Sequence, residues 1–471
     1  MFMSSHFLWG LALLCHTSSA ASISTNTSCL PVVDLGYTIH QAISYNSTAG
    51  NYKFSNIRFA QAPTGDLRFR APLPPLIDRS VVQNGQEYRA CPQAIPRWQA
   101  NAYIPIGKYS GLAPFTMESW KQDIANSNPP PGLLETMNDN TSEDCLFLDV
   151  HVPKKVFKKA GSGKGVPVLA WIHGGGFAFG SKSGHPTPYM NPDGIIFEAQ
   201  KINDEGLVFV AINYRLGALG FLASPEVEAD GALNAGLLDQ RLALEWIQEN
   251  IHLFGGDPDR VTLLGESGGG GAALYHMAAY GGHDGQSPFS QVIAQSPVLA
   301  PRGVARNGSY SGFLETLGVS SLAQARQASE RDIIRANEAQ IGAAPPTTYI
   351  HSVVTDGLII PGESADMFNN GQFDHHVKVL AAYNSFEGAF FYDPAITTEA
   401  GFRSWIGRSI TGLSSRDIEE LANEIYPPIF DGSLGYDDQA TRQMVLYSEG
   451  TIDCSFLLIN QALNGTSFAC E

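Results

Sequence analysis

A short glycine-rich stretch in the second half of the chain has the residue types of a nucleophilic site. Val261 to Leu264 is a brief apolar run that predicts a buried strand. Gly265-Glu-Ser-Gly-Gly269 follows and has the form G-x-S-x-G, in which a serine is exposed at a sharp strand-to-helix turn. Good helix formers from Ala272 to Tyr280 would place Ser267 at a helix N-terminus, where backbone dipoles favour developing negative charge. Glycine supplies 48 of 471 residues, so the pentapeptide alone could be a chance turn. Its position between strand and helix favours the catalytic interpretation.

A second glycine stretch lies upstream, where three consecutive glycines follow His173 at the end of an apolar run that starts at Val166. Such glycines leave backbone N–H groups uncovered, and the tetrahedral intermediate of acyl transfer needs donors of this kind at its oxyanion. HGGG-type loops accompany the G-x-S-x-G turn. We therefore predict that the amides of Gly175, Gly176 and Gly268 form an oxyanion hole, whereas a glycine turn without function is the alternative. His173 is expected to shape the loop.

The elements around these motifs alternate between apolar runs and helical patterns. Near-continuous apolar runs suit parallel strands that are buried on both faces, and alternation with helices implies right-handed crossovers. The fold class predicted is α/β, with a large mostly parallel central sheet flanked by helices and an antiparallel edge from residues 34–71. Strands are predicted at 146–152, 166–173, 207–213, 261–264, 291–295 and 377–382, and a loop at 254–258. Helical patterns are predicted at 237–251, 312–340 and 414–463, and Pro427 and Pro428 stop the helix that begins near Ser415.

Composition limits the classes of partner and compartment. The net charge of −17 argues against nucleic acid as a partner. An apolar run and small residues predict a signal peptide over residues 1–20 and a secreted domain over 21–471, with no later membrane span. No metal cluster, phosphate loop or dinucleotide fingerprint appears, so no metal or cofactor is expected. Five N-x-S/T sequons are candidate glycosylation sites, at Asn26, Asn46, Asn140, Asn307 and Asn464.

Several stretches, spread over most of the chain, resemble the type-B carboxylesterase family, which includes cholinesterases and some fungal lipases. They are residues 54–75, 142–149, 173–177, 213–217, 236–240, 254–258 and 265–269. The resemblance implies an α/β-hydrolase fold and hydrolysis of small-molecule or lipid esters by a Ser-Glu-His triad. The family usually has alanine after the serine, where this chain has Gly268; since the amide is retained, little chemical consequence is expected.

The resemblance also implies the triad acid. The family places it in an Asn-x-x-Glu-Gly segment after a strand, which corresponds to Asn384-Ser-Phe-Glu-Gly388 and identifies Glu387, whose role would be to orient an imidazole. None of the twelve histidines of this sequence follows Glu387, and His375 and His376 are poor substitutes because they precede the acid's strand. A fold that is incomplete at its C-terminus and negligible esterase activity of this polypeptide are therefore expected.

Two interpretations of the missing histidine compete. The chain is either a truncated product of an active secreted esterase or a non-catalytic relative that works in binding or adhesion. The intact serine, oxyanion loop and acid favour the first. The family further implies a disulfide between Cys91 and Cys145 that closes an aromatic loop. The pairing of Cys29, Cys454 and Cys470 stays open.

Overall fold

A nine-stranded sheet runs through the described part of the chain in this computed structural model. The structure describes residues 30–110, 114–126, 141–184, 190–202, 206–282, 287–299, 302–303, 308–410 and 412–470. The predictions of a signal peptide, of Cys29 pairing and of glycosylation at Asn26, Asn140 and Asn307 lie outside these ranges.

Short strands separated by helices make up the described chain. The strands are β1 (Val32–Asp34), β2 (Ile39–Gln41), β3 (Ser44–Asn46), β4 (Asn51–Arg58), β5 (Val82–Gln83), β6 (Phe147–Pro153), β7 (Val166–Ile172), β8 (Val208–Ile212), β9 (Gly256–Glu266), β10 (Gln291–Gln295), β11 (Arg302–Gly303), β12 (Val354–Thr355), β13 (Lys378–Ala382) and β14 (Phe468–Cys470).

The helices often begin at a serine or threonine whose hydroxyl accepts a backbone amide in the first turn, as at Ser321, Ser329 and Thr398. The helices are α1 (Arg97–Ser110), α2 (Met117–Asn126), α3 (Lys154–Phe157), α4 (Asp193–Ile202), α5 (Gly217–Phe221), α6 (Pro225–Asp230), α7 (Ala235–Asn250), α8 (Gly268–Ala278), α9 (Gly308–Leu317), α10 (Leu322–Gln327), α11 (Glu330–Gly342), α12 (Ser364–Asn369), α13 (Glu399–Ser409), α14 (Ser415–Glu420), α15 (Gln439–Tyr447) and α16 (Cys454–Ala462). None of those described helices is both long and apolar enough to cross a membrane.

The large sheet has the strand order β14-β13-β10-β9-β7-β8-β6-β4-β3. The strands from β14 to β8 are parallel to one another, whereas β6, β4 and β3 pair antiparallel. Side chains of β7 alternate between two packed layers: Leu169 and Trp171 cluster with Ile196 of α4, and Val168 and Ala170 belong to the main core. Because both faces are covered at the centre of the sheet, β7 and β8 are apolar along their whole length.

Most predicted elements are present, and the differences arise from tertiary pairing. The predicted loop at 254–258 is wrong in its second half, because β9 already begins at Gly256, which pairs with Val166 of β7. Helix α8 starts at Gly268 rather than 272 and ends at Ala278, since Tyr280 has a φ of 57°. The helix that begins at Ser415 ends before Pro427 and Pro428, as predicted, whereas the helical pattern at 312–340 is divided among α9, α10 and α11. Strand β14 was not predicted.

Candidate active site

Ser267 lies at a strained turn between β9 and α8. Its φ of 55° and ψ of −122° fall in a region that costs a non-glycine residue about 1–3 kcal/mol. The turn is too tight for side chains beside it: a Cβ on Gly265 would lie 2.2 Å from the carbonyl oxygen of Gly269, and a Cβ on Gly269 would lie 2.2 Å from that of Ile172. The amide of Ser267 donates to the carbonyl oxygen of Gln295 at 2.8 Å, which holds the turn in place.

Sheet register brings the candidate residues to one edge. In the parallel pairing of β7 with β9, Ile172 is opposite Gly265, so the loop that begins at His173 leaves the sheet beside Ser267. Strand β10 pairs with β9 on one side and with β13 on the other, and therefore the turn before Glu387 leaves from the same edge. Ligands of α/β sheets commonly bind outside the carboxyl ends of the parallel strands.

The two glycine loops meet at Ser267. A Cβ on Gly268 would lie 3.4 Å from the amide nitrogen of Gly176, and a Cβ on Gly174 would lie 3.1 Å from the Cβ atom of Ser267. Gly175 and Gly176 have φ values of 101° and 58°, which side chains rarely adopt. Within the described ranges their amides donate to no backbone carbonyl. The uncommitted amide of Gly176 thus lies close to Gly268, the residue after the serine, and that of Gly175 is adjacent to it in the chain.

An aromatic side chain covers the outer side of this loop. A Cβ on Gly176 would lie only 2.2 Å from the ring of Tyr349, whose hydroxyl donates to Oε1 of Gln99 at 2.8 Å. The ring of Trp98 packs edge-on against Tyr349 with centroids 5.6 Å apart. These contacts place the aromatic segment enclosed by Cys91 and Cys145 at the border of the site.

Glu387 is held by hydrogen bonds to Ser296, Asn384 and Ser448. The hydroxyl of Ser296 donates to its Oε1 at 2.6 Å, and the backbone amide and side chain of Asn384 donate to the same oxygen at 2.8 and 3.0 Å. The hydroxyl of Ser448 accepts the amides of Glu387 and Gly388 at 3.1 and 3.3 Å. Across the described chain, Oε2 of Glu387 has no hydrogen-bond partner, so this oxygen is available to orient another group.

Glu266 adds a second carboxylate to the site. A Cβ on Gly174 would lie 2.5 Å from its Oε2, which places this carboxylate against the glycine loop. Burial, and then the negative charge of Glu387, raise the pKa of Glu266 to about 7. The residue is exposed, so water moderates the effect of burial on this pKa.

No histidine in the described ranges hydrogen-bonds to Ser267 or Glu387. The ring of His173 is buried, stacks on Tyr214 with centroids 4.3 Å apart, and has its pKa lowered to about 4 by burial. His375 and His376 precede β13 and are therefore at the opposite end of that strand from Glu387, as expected. The other described histidines are His40, His151, His252, His276 and His351, and His6, His16, His185 and His283 lie outside the described residues.

Sequence reasoning missed two serines that contact the candidate acid. Ser296 has a φ of 46°, an uncommon conformation for serine, and follows β10. Ser448 opens a π-helical segment, Ser448–Asp453, and such segments frequently occur at functional sites. Both are far from Glu387 in the chain, so no local pattern could have linked them to it.

Comparison with known proteins identifies the group to which this architecture belongs. The sequence pattern of the Carboxylesterase family matches residues 40–423. Carboxylesterase patB of Aspergillus clavatus is 36% identical over 481 residues, an alignment that covers 99% of this chain and 83% of that protein. The chain belongs to the carboxylesterase family. Lipase 2 of Geotrichum candidum is 30% identical over 400 residues, covering 79% of this chain and 66% of the lipase. The crystal structure of Aspergillus niger EstA is similar with a TM-score of 0.71 and 29% identity, covering 94% of this chain and 77% of EstA.

Membership of the carboxylesterase family confirms the α/β-hydrolase fold and the general activity, hydrolysis of esters. The disulfide between Cys91 and Cys145 is confirmed as well. The roles of Ser267, Glu387 and the three glycines stay predictions.

The surface predictions are also untested. Of the two described sequons, Asn464 is exposed, whereas the side-chain amide of Asn46 donates to Asp193 at 2.6 Å. Cys454 is exposed and forms no disulfide within the described part.

Proposed function

We propose that this carboxylesterase acts on its ester substrates through an acyl-enzyme on Ser267. The serine oxygen attacks the ester carbonyl while its proton passes to water, and the amides of Gly175, Gly176 and Gly268 stabilise the oxyanion. The tetrahedral intermediate then collapses, and the alkoxide takes a proton from water and leaves as the alcohol. Water attacks the acyl-enzyme in turn, which releases the carboxylic acid and restores the Ser267 hydroxyl. The observation that supports the proposal is the 3.4 Å separation between a Cβ on Gly268 and the amide nitrogen of Gly176, because an oxyanion hole built from two separate loops needs their donors to lie close together. Glu387, with one free carboxylate oxygen, is the group that would orient a base.

The 471 residues contain no histidine after Glu387, and no described histidine hydrogen-bonds to Ser267 or Glu387. An unassisted serine hydroxyl is a weak nucleophile, and loss of a triad member can cost about 10⁶ in turnover. We therefore expect Ser267 of this polypeptide to react slowly, with activated esters first. In the polypeptide of this sequence the acylation site can therefore be present although acylation is slow.

The test is acylation by p-nitrophenyl acetate, followed by mass spectrometry of the intact protein and its peptides. One acetyl group on the peptide that contains Ser267, absent from Ser267→Ala, is the expected result. Label that persists in Ser267→Ala contradicts the proposed nucleophile, and a non-catalytic binding protein would then be the better interpretation. Steady-state turnover close to that of a complete relative would instead refute the expectation of a slow site.

A further inference from the structure

The loop that contains Gly175 and Gly176 closes on itself. Its return limb, residues 178–182, packs against the segment that would hold an oxyanion: a Cβ on Gly180 would lie 2.3 Å from Nδ1 of His173 and 2.8 Å from the carbonyl oxygen of Gly174. A Cβ on Gly175 would lie 2.1 Å from the carbonyl oxygen of Phe179. At these separations the two limbs are in direct contact. A shift of the return limb must therefore displace the candidate oxyanion amides.

A buried glutamine holds the return limb from the neighbouring disulfide segment. Gln93 is fully buried, and its Oε1 accepts the amide of Gly180 at 2.8 Å. The next residue, Ala94, donates its amide to the carbonyl oxygen of Ala178 at 3.0 Å. The side-chain nitrogen of Gln93 donates back to the carbonyl oxygen of Cys91 at 3.3 Å. The disulfide segment thus contacts the return limb at two successive points.

A second buried amide joins the same parts. Asn213, directly after β8, accepts the amide of Lys182 at 2.9 Å through its Oδ1. Its Nδ2 donates to the carbonyl oxygens of Arg89 and Cys145 at 2.8 and 3.1 Å. The return limb is consequently fixed at Gly180 and at Lys182, and both attachments lead to the disulfide between Cys91 and Cys145.

We propose that Gln93 is a positioning residue for the oxyanion site. Its Oε1 accepts a hydrogen bond from the amide of Gly180. Gly180 in turn packs against Gly174 and so fixes the position of Gly174 and Gly175 relative to Ser267. The inference rests on the proposed function, because it assigns Gln93 an effect on an oxyanion formed at Ser267. Gln93 touches no reacting atom and acts through the loop alone.

The experiment compares Gln93→Met, which keeps the length but lacks a strong acceptor, with Gln93→Glu, which keeps an oxygen. Gln443→Met is the matched control, because Gln443 is also fully buried and accepts a backbone amide, that of Asp393 at 3.0 Å. The first measurement is amide hydrogen exchange over residues 173–182. The second is the affinity for phenylboronic acid, followed by boron-11 NMR. In this adduct the oxygen of Ser267 bonds to boron as its proton leaves to solvent, and boron becomes a tetrahedral anion.

Loss of one buried hydrogen bond should make loop exchange about tenfold faster and boronate binding about tenfold weaker in Gln93→Met. Gln93→Glu should retain both properties, and Gln443→Met should change neither even where it lowers the melting temperature. Unchanged boronate affinity in Gln93→Met, or equal weakening in Gln443→Met, overturns the inference. If Ser267→Ala binds boronate as well as the wild type, the proposed nucleophile fails, and exchange alone decides: unchanged loop exchange in Gln93→Met overturns the positioning role.

Discussion

Alanine at Gly268 and at Gly176 tests the oxyanion geometry with one chemical change at two adjacent places. At Gly268 the added Cβ would be 3.4 Å from the nearest atom, the amide nitrogen of Gly176, which is ordinary van der Waals contact. Gly268 is also the first residue of α8. We expect Gly268→Ala to stabilise the protein by about 0.5–1 kcal/mol, because alanine loses less conformational freedom on folding than glycine.

The same change at Gly176 should be costly. The φ of 58° is left-handed, and adopting it costs an alanine about 1–2 kcal/mol. The added Cβ would overlap the ring of Tyr349 at 2.2 Å, and overpacking of this kind adds about 1–3 kcal/mol. Tyr349 cannot swing away without breaking its hydrogen bond to Gln99. We therefore expect Gly176→Ala to lower the free energy of unfolding by about 2–5 kcal/mol.

Urea denaturation followed by tryptophan fluorescence measures both values, and equal m-values make them comparable. Acetylation of Ser267 should persist in Gly268→Ala and be lost or slowed in Gly176→Ala, because the second change displaces an oxyanion amide. A Gly176→Ala protein as stable as the wild type would show that Tyr349 does not press on the loop. If Gly268→Ala lowers the free energy of unfolding by more than about 1 kcal/mol, there is no room for a Cβ beside the amide of Gly176.

Three further predictions concern the disulfide, a buried ion pair and Glu266. Replacing Cys91 and Cys145 together by alanine should lower the free energy of unfolding by about 4 kcal/mol, from the entropy of the opened loop, as urea denaturation would show. Asp149→Asn should lower the free energy of unfolding by about 3–5 kcal/mol, because the buried Lys182 loses its ion partner. Lys182→Met should lower it by less, because Asp149 keeps a second lysine, Lys53. Thermal melts of the two variants measure the difference. The pKa of Glu266 is raised from 4.5 to about 7, so between these pH values the folded state binds more protons than the unfolded state. Ionisation of Glu266 therefore lowers the free energy of unfolding as the pH rises from 4.5 to about 7. Glu266→Gln should therefore gain stability relative to the wild type between pH 5 and pH 8, and a difference that stays constant with pH would contradict the shift.

The sequence was informative where local chemistry decides the structure. The apolar runs predicted β6, β7, β8 and β10 with boundaries within about two residues, because strands buried on both faces have no polar alternation to conceal them. Gly265 and Gly269 on either side of Ser267 predicted a tight turn, and a Cβ at either position would lie 2.2 Å from a backbone carbonyl oxygen. The family resemblance identified Glu387 as the candidate acid. Its position after a strand would not have identified it without that resemblance.

The remaining features depend on contacts between distant parts of the chain. Nothing near Gly176 indicates that Tyr349 will lie against it, and nothing near Glu387 indicates Ser448. Strand β9 begins at Gly256, although Pro258 favours a loop, because pairing with β7 outweighs local propensity. Such contacts follow from the assembled sheet and cannot be read from a window of sequence.

Strand β10 links the candidate nucleophile physically to the candidate acid. It lies between β9 and β13, and two consecutive residues at its end serve the two groups: the carbonyl oxygen of Gln295 accepts the amide of Ser267 at 2.8 Å, and the hydroxyl of Ser296 donates to Glu387 at 2.6 Å. A displacement of this strand end would consequently move both groups together and preserve their separation. The geometry of the site therefore depends on the pairing of β10 with its two neighbours as much as on the glycine motifs that make the site recognisable in the sequence.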